Sequence, residues 1–283
     1  MKSAREIDTI LPSRPTVEGA GVHLKRAFGP AEVPLLDPFL MLDDFHSENP
    51  ADYTAGFPWH PHRGIETVTY MVRGIVEHGD TLGNRGSITS GDVQWMTAGS
   101  GILHQEMPIA YRGPMQGFQL WVNLPASAKM MNPRYRDVKS ETIPTVSVGK
   151  GASVKIIAGE LKDVKGPVQD LVVEAEYLDV TVEPDKQFKH SIKKGNKAFA
   201  YVFEGEGAFD TGKKSSIGSE MLVVFKDGKD IVAKSGSAGM RFLLVSGKPL
   251  GEPVAWGGPI VMNTEQELDT AFRELREGTF IKK

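Results

Sequence analysis

The chain of 283 residues contains no cysteine. That excludes disulfides, thiolate-ligated metal sites and a cysteine nucleophile together, and it fits a reducing compartment. Charge imbalance is also lacking. The formal net charge of −3 gives no electrostatic footing for direct binding to nucleic acid or to an anionic membrane surface. No stretch approaches the roughly 18 consecutive apolar residues of a membrane helix. Met1-Lys2-Ser3-Ala4-Arg5-Glu6 leads into no apolar run of the signal-peptide kind. The expectation is a cytoplasmic protein with neither a membrane nor direct nucleic acid among its partners. Helical periodicity is scarce between the apolar runs, which argues against parallel α/β units.

What the chain does hold is short runs rich in Val, Ile, Phe and Tyr, broken by 31 glycines and 18 prolines. Thr67-Val68-Thr69-Tyr70-Met71-Val72, Gly117-Phe118-Gln119-Leu120-Trp121-Val122 and Met240-Arg241-Phe242-Leu243-Leu244-Val245 are examples. Turn signals such as Arg73-Gly74 and Asp227-Gly228 separate them. Together they predict an all-β fold. One helix stands out near the end. Thr264 and Glu267 spell a capping box, Leu268, Ala271, Phe272 and Leu275 form an apolar stripe, and Gly278 marks the stop. Pro125, Pro133 and Pro144 lie among polar residues and predict a connector, dividing the chain into units at 1–130 and 131–283. Tyr70-Met71-Val72-Arg73-Gly74 and Tyr201-Val202-Phe203-Glu204-Gly205 are spelled alike, a weak internal duplication.

Seven histidines are present, and three stand in patterns that metal chemistry explains. His60-Pro61-His62 places two imidazoles two residues apart, which on an extended segment aims both at one face. His104-Gln105-Glu106 repeats the spacing with an imidazole and a carboxylate. Two such pairs on neighbouring strands converge on one point inside a barrel. Three neutral imidazoles and a carboxylate suit one transition-metal ion: Fe(II), Mn, Ni, Cu or Zn. His78 lies between the two pairs and is the one other histidine placed to line the same cavity. His23, His46 and His190 carry ordinary roles. Phe57, Trp59, Trp95 and Met96 read equally as cavity walls and as core packing. Arg63 and Gln105 either orient a ligand or face solvent.

The stretch from His60 to Val68, His-Pro-His-Arg-Gly-Ile-Glu-Thr-Val, and the stretch from Gly91 to Pro108 containing Gly101-Ile102-Leu103-His104-Gln105-Glu106 resemble the pirin family of the cupin superfamily. Leu36-Asp37-Pro38-Phe39 to Phe45 and Gly258-Pro259-Ile260-Val261-Met262-Asn263-Thr264 extend the likeness over nearly the whole length. The resemblance implies two jelly-roll cupin barrels facing one another, a metal-free second barrel, and iron in the first on His60, His62, His104 and Glu106. The general cupin pattern takes its glutamate from the first motif, where Glu66 stands. The pirin-type pattern chooses Glu106, leaving the role of Glu66 open, with an inward-facing partner of the ligands as one reading of its strand parity. It further implies a metal-dependent dioxygenase of the quercetin 2,3-dioxygenase type, acting with O₂ on a flavonol or similar enediol-like substrate. Glu106 would then ligate the metal and serve as catalytic base. An alternative from another class is a non-catalytic, iron-binding regulator acting through protein partners, as a transcriptional co-regulator or a modulator of a metabolic enzyme. A phosphate-handling cupin needs a basic rim, for which Arg63, Arg73, Arg85 and Arg112 are the candidates.

Overall fold

The structure, a computed structural model, describes residues 4–209 and 216–282. These residues form antiparallel strands, a few single 3-10 turns and one α-helix, Glu265–Glu277. No helix among them is long and apolar enough to cross a membrane.

The chain divides into two compact units that are not separated by one cut near residue 130. One unit holds Pro15–Val33, Pro38–Ser140 and Leu250–Lys283; the other holds Met1–Arg14, Pro34–Asp37 and Glu141–Pro249. Strand pairing accounts for the first exchange. The strand Ile7–Pro12 runs antiparallel to Met221–Phe225, with Ile10 opposite Val223. Helix packing accounts for the second. Leu268, Ala271, Phe272 and Leu275 lie against Ala255, Ile260 and Met262, so the helix expected in the second unit belongs to the first. Its ends are as the sequence predicts. Thr264 Oγ1 accepts from Glu267 N at 3.2 Å, Glu267 Oε2 accepts from Thr264 N at 3.0 Å, and Gly278 terminates it in the left-handed region at φ 71°.

In the first unit a seven-stranded sheet carries Ile65–Arg73 between Val93–Thr97 and its central strand, Met115–Asn123. A four-stranded sheet runs Phe57–His62, Ile102–Pro108, Ile75–Asp80, Arg85–Thr89. The other unit is built on the long strand Asp230–Gly247, which pairs with Lys197–Ala208 and Ala175–Val182. Its interior is apolar, with Phe242 meeting Phe209 edge-on at 4.9 Å and Phe188 at 5.8 Å. Both units are built of antiparallel strands, as the sequence predicts.

Candidate metal centre

The two short motifs lie on adjacent strands. Phe57–His62 is the edge strand of its sheet, which tolerates Pro58 and Pro61 because an outward N–H is not needed there. It pairs antiparallel with Ile102–Pro108 so that His60 stands opposite His104. Directly opposed residues share a face, and the i,i+2 spacing brings His62 to the same side. The three imidazoles meet with ring centroids 4.4 to 5.0 Å apart, and one nitrogen from each lies within 4.8 Å of the others.

The hydrogen bonds decide which nitrogens are free. His60 Nδ1 lies 2.8 Å from the Pro58 carbonyl and His62 Nδ1 lies 3.0 Å from the Pro259 carbonyl, so each Nδ1–H donates outward. Their Nε2 atoms then face one another at 3.0 Å as lone pairs. Protonating either would create a buried imidazolium, which burial opposes. It holds His60 below its ordinary value and, with His60 nearby, brings His62 down to about 3. Burial lowers His104 most, and the neighbouring imidazoles add to it. Neither nitrogen of His104 has a hydrogen-bond partner although both are buried. Unpaired buried acceptors aimed at one point are costly in the absence of a cation. Two nitrogens each about 2.0–2.1 Å from one ion, roughly at right angles about it, sit about 3 Å apart. The donor set therefore fits a transition metal.

Glu106 lies outside this group of three, two residues beyond His104, but lines the cavity that His60 and His62 line. A register shift falls between them. Its Oε1 accepts from Thr69 Oγ1 at 2.9 Å, and Thr69 is also 2.6 Å from Gln119 Oε1. Burial pushes the Glu106 carboxyl up to about 7, with the Thr69 contact pulling the other way. Glu66 is not a partner of the ligands. It stands opposite Thr97, whose hydroxyl donates to it at 2.6 Å, while Thr69 lies on the other face of the same strand. His78, opposite Glu106 in the register, meets the Tyr135 hydroxyl, which is 2.5 Å from its Nδ1.

The cavity has a volume of about 710 Å³, within the range of small-molecule sites. Phe57, Trp59, Trp121 and Trp256 form much of its wall. Trp121 meets His62 edge-on at 5.0 Å and stacks with Trp256 at 5.8 Å. Trp95 and Met96, in contrast, are buried in the sheet. No basic rim appears among the lining residues. Arg73, Arg85 and Arg112 are exposed elsewhere, and Arg63 is buried in an ion pair with Glu274. The lining cation is Arg26, and it is neutralised by both oxygens of Asp43 at 2.8 Å and by Glu18 at 2.9 Å. Thr69, Gln119, Trp121, Trp256, Pro259 and Arg26 were not legible as site residues, because only strand register and the return of the chain bring them there.

Two cupin domains, one with a histidine-lined cavity, define the class. The family model Pirin matches residues 21–122 and Pirin C-terminal cupin domain matches 177–281. A pirin-like protein of Caulobacter vibrioides is 42% identical, covering 98% of this chain and 99% of its own. The chain belongs to the pirin family. The crystal structure of quercetin 2,3-dioxygenase from Acinetobacter baumannii is similar, with a TM-score of 0.90 and 30% identity over 98% of each chain. A bacterial pirin from Escherichia coli, solved in complex with nickel(II), shares the fold at a TM-score of 0.67 and 19% identity, covering 85% of this chain and 99% of its own.

Proposed function

We propose that this protein is a metal-dependent dioxygenase of the quercetin 2,3-dioxygenase type, with one ion, Fe(II), held by His60, His62, His104 and Glu106. The observation that carries the reading is the trio of convergent, unprotonated imidazoles, two of which, His60 and His62, line an aromatic-walled cavity of about 710 Å³. When bound, the metal supplies coordination positions for substrate and O₂ and the electron exchange that their combination requires. Glu106 accepts the hydroxyl proton of a flavonol or similar enediol-like substrate. Its Oε1 is held by Thr69, which leaves Oε2 as the oxygen that meets the proton. As a carboxylate it offers that proton a base. Phe57, Trp121 and Trp256 offer flat apolar faces that exclude water and stack on an aromatic ligand. The neutralised Arg26 offers nothing to a phosphate or carboxylate.

Iron-loaded protein should consume O₂ with a flavonol, and His62→Ala should lose both the metal and the uptake. Full activity in His62→Ala sinks the assignment. One ion per chain, no uptake across a panel of enediol-like compounds and a stoichiometric protein partner would instead support a regulator.

A further inference from the structure

We propose that the hairpin spanning Ala255–Gly257 and Ile260–Met262 sets the tautomer and direction of His62, and that Lys129 and Arg63 are the positioning residues that hold it there. The inference rests on the proposed metal site but concerns a different set of residues. The contact begins with His62 Nδ1, which donates to the Pro259 carbonyl from 197 positions away. Around it the two segments are joined directly. Val261 N donates to the Arg63 carbonyl at 3.1 Å, and Arg63 and Ile260 form a parallel bridge. Gly64, at φ 79°, approaches so closely that a Cβ there would lie 1.9 Å from the Val261 oxygen. No other residue fits.

One buried cation, Lys129, bridges this junction, and a second, Arg63, anchors the His62 side of it to Ser100 and to the C-terminal residues Glu274 and Phe280. Lys129, 1% exposed, spends its three donors on Gly64 O at 2.9 Å, Val261 O at 2.9 Å and Asn123 Oδ1 at 2.6 Å. It thus ties the residue two beyond His62 to the residue two beyond Pro259. Arg63 donates through Nε to Ser100 O at 2.7 Å and through Nη2 to Phe280 O at 2.8 Å. Its Nη1 is 2.8 Å from Glu274, and its guanidinium lies 4.2 Å from the Phe280 ring centroid. Buried charges of this kind add little net stability over well-packed apolar groups, but they select one geometry. The geometry selected is the one that puts the His62 proton on Nδ1 and leaves Nε2 open. Without the Pro259 carbonyl, the imidazole is free to carry its proton on either nitrogen and to turn.

The test uses the full chain carrying Lys129→Met, which keeps the volume of the side chain and removes the donors. In metal-free protein, nitrogen-15 shifts of His62 should change from a single Nδ1–H tautomer to a mixture. Competition between Zn(II) and a chelator should show affinity falling about 10–100-fold, with the amide-exchange protection of Ile65–Arg73 retained. A single unchanged tautomer overturns the proposal, whatever happens to affinity. So does a mixed tautomer with wild-type affinity. If Lys129→Met does not fold, Arg63→Lys, which retains the charge but not the reach to Phe280 and Glu274 together, carries the same expectations. Wild-type protein that shows one Nδ1–H tautomer yet binds no metal would defeat the metal reading and leave the positioning role standing.

Discussion

Burial holds the His62 imidazole at about 3 and keeps His60 and His104 low as well, so none of the three must shed a proton to bind a metal at neutral pH. Glu106 differs, because burial raises its carboxyl to about 7. Below that pH the group is protonated and a ligating metal must displace the proton; above it no proton is released. Apparent metal affinity should therefore fall about tenfold per pH unit from about pH 7 to about pH 5 and level off above about pH 8, the slope of one displaced proton. Chelator competition across that range measures it, and Glu106→Gln should flatten the profile. A slope persisting in that variant would assign the proton elsewhere. At this scale the convergence of His60, His62 and His104 was readable because i,i+2 spacing is a local property. Thr69 and Pro259 were not, since neither residue type announces itself and each reaches its partner only through a register 37 or 197 positions away.

Among the elements, the helix Glu265–Glu277 was legible down to its caps because capping box, stripe and terminal glycine are all local signals. Thr264→Ala should remove the N-terminal hydrogen bond and cost about 1 kcal/mol, read as a lowered denaturation midpoint with unchanged slope. A variant as stable as the wild type would show that the Glu267 half of the box suffices. The strand Ile65–Arg73 was legible as a strand but not in its facing. All but its last residue are buried, so no polar face marks which side is the cavity, and the facing of Glu66 was left open until the register put it against Thr97. Alternation informs only where one face meets water.

For the whole molecule, composition and run length sufficed for two β units, while their interleaving was hidden. Ile7–Pro12 reads as an ordinary strand, and nothing local indicates that its partner is Met221–Phe225. A metal bound by one unit stabilises the conformation that binds it, by about 2.7 kcal/mol at a hundredfold excess over the dissociation constant. Hydrogen exchange with and without Zn(II) should therefore gain protection in Phe57–His62, Ile102–Pro108 and Ile260–Met262. The sheet built on Asp230–Gly247 should stay as it was. Equal gains in that sheet would show that the units respond as one body.

The 197 positions between His62 and the Pro259 carbonyl also have a meaning in time. At about 5–20 residues per second, translation delivers Pro259 roughly 10–40 s after His62. His104 follows His62 by about 2–8 s at that rate, and for the rest of the interval the nascent chain carries all three imidazoles with His62 still unoriented. A message truncated before Trp256 would therefore yield a chain whose histidines are all present and whose His62 lacks the Pro259 carbonyl.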